Sequence, residues 1–452
     1  SADIESISVT GSEKTYGAYA NGGSWIDLAM DGSMQATSTT SGIAMGIGAD
    51  NGSDITVTGL EDLTVAAANG PALGIGARSG SEADVLMTGD ITVGTSSGNA
   101  YGATAQGGSN ISLTGAEAMT VSSDSGEAYG LYALNSSTIS ADIESISVTG
   151  SEKTYGAVSD LGSQIVLLMD GDMSITSTET GVASGIGALT NSNVAVTGLN
   201  DLTVTANAGD ALGIGAAGTS TAYVEMTGTI DVYTANGDAS GILAENNSDT
   251  TVRMDPDKSN NDIFVHSASN GNAYGMVASG DSDIVFENVR NLVVSADAGD
   301  AYGLFANDPS TISGDVESIT VTASGNAYGA YAYSESTIDA AMSGDISVES
   351  TVAGSAVGIG ADTSSDVTIT GLNDLTVLAN AGYATGIDAY DSSTIDVQMS
   401  GDITVSTAEG DAYGAIADYG SNVYITGAKA MDISATSGDA YGLYSTRGSL
   451  IS

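Results

Sequence analysis

A six-residue motif, Ala-Tyr-Gly-apolar-x-Ala or a close variant, returns along the whole chain at a nearly fixed spacing. Its central glycines are Gly17, Gly46, Gly74, Gly102, Gly130, Gly156, Gly185, Gly213, Gly241, Gly275, Gly303, Gly329, Gly358, Gly386, Gly414 and Gly442. The gaps are 26, 28 or 29 residues, except for one of 34 between Gly241 and Gly275. Such regularity requires one small structural unit repeated many times, so length no longer counts domains.

A longer period lies on top. Residues 1–18 recur identically at 140–157, and a diverged copy begins at Ser313. The expected organisation is one continuous solenoid over 1–452, with super-repeats 1–139, 140–312 and 313–451 of five, six and five coils. The extra length of the second falls at the 34-residue gap. Residue 452 is equivalent to residue 1, so the chain reads as a stretch of a longer array.

One unit shows what the repeat folds into. After the motif at Gly46 comes a turn, Asp50-Asn51-Gly52-Ser53. Ile55-Thr56-Val57 then alternates apolar and polar, Thr58-Gly59 interrupts, and Leu63-Thr64-Val65 alternates again. Alternation is the strand signature, and Gly/Asn/Asp/Ser clusters mark turns. No segment has helical periodicity. A propeller blade needs about 40–45 residues, so the unit is too short for one. A sandwich has no need of the same sequence in every unit. The expected fold is therefore all-β: a right-handed parallel β-helix of about sixteen coils, with three short strands per coil. Ile55, Val57, Leu63, Val65, Ile47 and Ala49 should point inward, and Thr56 and Thr64 outward. The Gly-Asp, Gly-Asn and Gly-Glu pairs before the motif (Gly98-Asn99, Gly126-Glu127, Gly209-Asp210, Gly299-Asp300, Gly410-Asp411) should be turns with glycine at positive φ.

Composition narrows the function. The formal net charge is −48, with only 8 Lys and Arg against 56 acidic residues. Nucleic-acid binding, which needs basic groups to neutralise phosphates, is disfavoured, as is electrostatic attraction to anionic membranes. The absence of cysteine excludes disulfides and thiolate chemistry. No apolar run is long enough to cross a membrane as a helix.

Units such as GNAYGAYA (325–332), SSTISADIESISVTG (136–150) and SGDITVSTAEGDAYG (400–414) resemble the β-helical passenger regions of bacterial autotransporter adhesins. The resemblance covers the full length. It implies an exported, surface-displayed solenoid used for adhesion or self-association, as in biofilms. The membrane barrel of that family is not in this sequence, which leaves the export route open.

Candidate sites are few. His266 is the only histidine, hence the only candidate base for a catalytic triad. A solvated or packed histidine is the simpler reading. Polysaccharide-cleaving β-helices use carboxylate pairs, but the acidic residues here sit mostly in repeated turns. The long coil carries Asp255, Asp257, Ser259 and Asn261 at every second position, like the start of a calcium loop. It lacks that loop's central glycine and distal glutamate, so a protruding hydrophilic loop is the simpler reading. Calcium is the one cofactor the pattern suggests.

The motif tyrosines fall in runs: Tyr101, Tyr129 and Tyr155, then Tyr274, Tyr302 and Tyr328, then Tyr413 and Tyr441. Stacked coils would align these rings into ladders, either as structure alone or as a stripe that binds sugar rings or a neighbouring molecule. Between runs the motif often reads Gly-Ile-Gly, a flat patch open to close approach. Stacked acidic turns are expected to be solvated, with Asn, Ser or divalent cations relieving their repulsion. The sequence thus predicts a non-enzymatic, extracellular adhesive or filament-forming solenoid. Its expected partners are copies of itself, joined end to end or laterally, or a cell-surface glycan or protein. A carbohydrate-active β-helix enzyme is the alternative.

Overall fold

The computed structural model describes residues 2–452, and among them every regular element is a strand. The fold is a parallel β-solenoid whose coils repeat at the spacing of the motif. It divides into two compact units, Ser1–Met226 and Thr227–Ser452.

In the first unit the motif forms Thr15–Asn21, Ala44–Asp50, Ala72–Arg78, Ala100–Gln106, Ala128–Leu134, Thr154–Asp160, Ala183–Leu189 and Ala211–Ala217. Each pairs in parallel with the motif strand of the next coil, so equivalent residues lie in register: Leu73 on Tyr101, and Tyr101 on Tyr129. The second unit repeats the pattern from Ala239–Glu245 to Ala440–Ser445.

The remaining strands of each coil form the rest of the wall. Ile55, Val57, Leu63 and Val65 are buried while Thr56 and Thr64 are not, as alternation requires. Ile47 and Ala49 are buried too. Each fully buried Ile, Leu or Val contributes roughly 1.5–3 kcal/mol. Three separate strands per coil is accurate only for some coils. Where Thr58-Gly59 was expected to end a strand, Asp54–Ala67 runs through both halves with a register shift at the glycine. Gly59 sits at φ +71°, and a Cβ there would be 2.3 Å from the Met30 carbonyl oxygen, so the chain bulges without leaving the sheet. The six extra residues of the long coil fall at the same place, between Asp249–Met254 and Asp262–Ser267.

The central glycine of the motif is required by the interior. A Cβ on Gly74 would lie 2.4 Å from the Gly102 carbonyl oxygen and 3.0 Å from Val93 Cγ2. Comparable clashes recur at motif glycines from Gly17 to Gly414, among them Gly102, Gly185, Gly303 and Gly386, whereas Gly442 meets nothing within 4 Å. The motif strand therefore packs its backbone directly onto the core residues of the other strands.

A serine column runs beside the motif strands. Ser53, Ser81, Ser109, Ser137, Ser163 and Ser192 are buried, and each amide donates to the serine hydroxyl of the following coil at 3.1–3.2 Å, the last to Ser220. Ser248 to Ser449 repeat the chain of bonds in the second unit. Every one of these serines lies seven residues after a motif glycine. They supply the partners that turn amides would otherwise lack.

The turns before the motif are partly as expected. Gly98, Gly209 and Gly410 have φ of +126°, +133° and +114°. Gly126 and Gly299 do not share that conformation. Glycine is needed there because a Cβ would be 2.4 Å from the Gly98 oxygen and 2.1 Å from the Gly271 oxygen of the preceding coil.

Candidate functional site: the face of the motif strands

A strand normally sends alternate residues to opposite sides. In the motif strand that parity breaks at the central glycine. In Thr15–Asn21, the buried positions are Thr15, Ala18 and Ala20, while Tyr16 and Tyr19 lie on the outer side. The Cβ position of Gly17 points at Met34 in the core. Outward side chains are thus three residues apart, and two adjacent columns share one face.

All eight tyrosines picked out by their periodicity belong to the first column, and they stack. Tyr101 and Tyr129 have centroids 5.1 Å apart with rings 9° from parallel, and Tyr129 and Tyr155 repeat the 5.1 Å spacing. In the second unit Tyr274–Tyr302 is 5.2 Å, Tyr302–Tyr328 is 4.7 Å and Tyr413–Tyr441 is 5.0 Å. The second column went unread because alternation counted from the motif tyrosine would bury it, although the inward Ile47 and Ala49 leave the residue between them outward. It carries Tyr19, Tyr132, Phe305, Tyr331 and Tyr444, each ring against one of the first column, as Tyr132 is 4.8 Å from Tyr129. A bulky residue three places after the motif tyrosine is the sequence signal for it.

At Tyr101, Tyr129, Tyr274, Tyr413 and Tyr441 the turn residue two before the tyrosine bonds the phenol. Tyr129 Oη donates to Glu127 Oε2 at 3.0 Å, Tyr441 Oη to Asp439 Oδ2 at 3.1 Å, and Asn272 Nδ2 donates to Tyr274 Oη at 3.1 Å. Burial, then the Glu127 charge, pushes the Tyr129 phenol up from its ordinary value. Burial, then Asp411, pushes Tyr413 up to about 12. The stacked acidic turns are also bonded coil to coil. The Asn326 amide donates to Asp300 Oδ1 at 2.6 Å and the Asp439 amide to Asp411 Oδ1 at 2.8 Å. Backbone amides, which make strong bonds to carboxylates, stabilise the column.

Between aromatic stretches the face is hollow. In the first unit a cavity of about 310 Å³ lies between Tyr16 and Tyr19 on one side and Tyr101 on the other. Its floor is Met45 and Leu73, lying over Gly48 and Gly76. Asp50 and Arg78 stand on its rim as register partners of adjacent strands.

The long coil carries a second, more open groove of about 610 Å³, lined in part by Lys258, Asn261, Arg290, Asp315 and Glu317. Its loop is tied internally. Asp255 Oδ1 accepts from the Asp257 amide at 3.0 Å, and Asn261 Nδ2 donates to the Asp255 carbonyl at 2.6 Å. The Ser259 carbonyl accepts from Arg290, which also pairs with Glu317 at 3.6 Å. Asn261 is buried, and its Oδ1 has no partner. Asp255, Asp257, Ser259 and Asn261 thus share one loop, in which the Asp255 and Asn261 side chains bond the loop's own backbone while Asp257 and Ser259 are tied through their backbone groups. Among the described residues no three His, Cys, Asp or Glu side chains converge on a metal position. His266 faces outward with Phe264, and its Nε2 is 3.3 Å from Asp297 Oδ2.

Among the described residues no helix is long and apolar enough to cross a membrane. Comparison with protein-family profiles, curated proteins and solved structures returns no match.

Proposed function

We propose that this chain is an extracellular, surface-displayed or secreted solenoid that forms a stalk or filament and mediates adhesion or self-association. The observation that carries the reading is the alternation on the motif-strand face. Half-buried tyrosine stacks occur in both units, several of them held by their own turn residues, and in the first unit they give way to a hollow floored by Met45 and Leu73. Stacked aromatic rings offer large rigid contact area at low entropic cost, which suits recognition. The repeated coils multiply that surface, so weak contacts add through avidity. A net charge of −48 opposes indiscriminate clumping and leaves association to specific contacts.

The test is adhesion of beads carrying the purified chain to glycan- and protein-coated surfaces, alongside sedimentation of the free chain. Replacing Tyr132 and Tyr331 by serine should weaken adhesion or self-association while the solenoid stays folded. Unchanged behaviour of that variant, or a wild-type chain that neither adheres nor associates, would overturn the reading.

A second reading, polysaccharide cleavage, draws on the groove of the long coil. There Asp315 and Glu317 line the same hollow as Lys258 and Arg290. Glycosidases need two carboxylates, one as acid and one as base or nucleophile. Release of reducing ends from polysaccharides by the wild type, abolished in Asp315→Asn and Glu317→Gln, would favour it over adhesion.

A further inference from the structure

We propose that the hollow between Tyr16/Tyr19 and Tyr101 binds a carboxylate-bearing sugar ring, with Arg78 as the anion contact. The inference rests on the adhesive reading and names what one part of that surface would recognise.

The walls and floor suit a sugar. Tyr16 and Tyr19 stack at 4.7 Å, and Tyr101 closes the far side. Met45 and Leu73 make an apolar floor between them. A pyranose has an apolar C–H face that packs on such surfaces and hydroxyls that need polar groups at the rim. Asp50 supplies an acceptor there. Its Oδ2 takes a long bond of 3.3 Å from Tyr19 Oη, and Oδ1 takes the Asn51 amide. The volume of about 310 Å³ sits at the lower end of the range for ligand pockets, roughly 300–1,000 Å³. That fits a short glycan segment better than a protein partner.

Arg78 sets the charge of the ligand. The chain has four arginines. Arg253 pairs with Glu287, Arg290 with Glu317 and Arg447 with Asp418. Among the described arginines only Arg78 makes no ion pair, although the chain is rich in carboxylates. It is exposed on the rim, its planar fork of donors open. That geometry matches a carboxylate, which it can grip with two parallel bonds.

The chain contains its own counter-example. The third super-repeat carries the same positions 312 residues on: Tyr328, Tyr331, Gly360, Asp362 and Tyr413 stand for Tyr16, Tyr19, Gly48, Asp50 and Tyr101. There Gly76 is replaced by Asp388, and Arg78 by Tyr390. The walls persist, but the floor gains a carboxylate and the cation is gone. An anionic sugar is favoured only in the first unit.

The experiment is calorimetric titration of the whole chain with an oligouronate, a sialylated trisaccharide and a neutral oligosaccharide of similar length. The two acidic arms separate the sources of the shared chemistry, and binding of either one supports the site. The wild type should bind at least one acidic sugar, more weakly as salt rises. Arg78→Gln should weaken it about ten- to hundred-fold, the loss expected for a bond to a charged group. Its thermal midpoint should not move, because Arg78 is exposed. Gly76→Asp should abolish acidic-sugar binding while leaving the neutral sugar unaffected. Acidic sugars that bind no more tightly than the neutral one, or as tightly to Arg78→Gln, would overturn the proposal. If Arg78→Gln still adheres to coated surfaces in that case, the adhesive reading stands and only this site is wrong.

Discussion

The amide of Ser81 donates to the hydroxyl of Ser109 at 3.1 Å, one coil further on, and both residues are buried. Ser109 Oγ in turn donates to the Gln106 carbonyl at 2.8 Å. Ser109→Ala leaves the Ser81 amide buried without a partner. It should cost roughly 1–3 kcal/mol. Ser112→Ala, at an exposed position of the same coil, should stay within about 0.5 kcal/mol. Urea unfolding of the two variants checks this, and equal midpoints would show that the column does not contribute.

The glycine column predicts a contrast between positions of the same motif. Gly74→Ala places a methyl 2.4 Å from the Gly102 oxygen, where both neighbours are backbone or core. It should destabilise the solenoid by about 3 kcal/mol. Gly442→Ala meets nothing within 4 Å and should be close to neutral. Thermal unfolding of both variants decides whether the motif glycine is required by close approach, or merely tolerated.

Asp388 makes stability depend on pH. Its carboxyl is pushed up from 3.8 to about 6, by burial first and then by Asp362 and Asp418. The folded state therefore holds the proton more tightly than the unfolded chain. Stability from this group is full below about pH 4 and is lost as pH rises through about 6. Asp388→Asn should be more stable than the wild type at pH 8, by about 3 kcal/mol at most from the size of the shift. The difference should vanish near pH 3.5. A difference that does not change with pH would show that the carboxyl is not strained.

The phenols report on the turn contacts. Tyr413 Oη donates to Asp411 Oδ2 at 3.3 Å, and its pKa is raised to about 12. Asp411→Asn removes the negative charge that opposes phenolate formation, so the phenol should titrate at lower pH. Comparing ultraviolet titrations with and without Tyr413→Phe isolates its contribution. An unshifted curve would mean that Asp411 does not act on it.

Parts of this architecture were readable in the linear pattern. The glycine spacing gave the coil, and the alternation around Ile55 and Leu63 gave the inward set, because a strand has only two sides. The tyrosine runs gave the first aromatic column, because equal spacing in a solenoid means vertical alignment. The serine column was equally legible, a fixed seven residues after each motif glycine, but buried serine carries no hydrophobic signal and passed as a turn residue. The bulge at Gly59 read as a break for a similar reason, since turn residues and bulges use the same glycine.

By itself the sequence determined the repeat, the strand parity outside the motif and the position of the long coil. These follow from local periodicity and steric limits on the chain. Only the tertiary structure decided that parity breaks at Gly17 and its equivalents. It takes the core of the opposite strands, pressing on a backbone without side chains, to place Tyr16 and Tyr19 on one face. The hollow beside Arg78 is likewise a product of four coils together. Its walls, floor and rim lie as far apart in the chain as Tyr16 and Tyr101, and they meet only because equivalent positions stack.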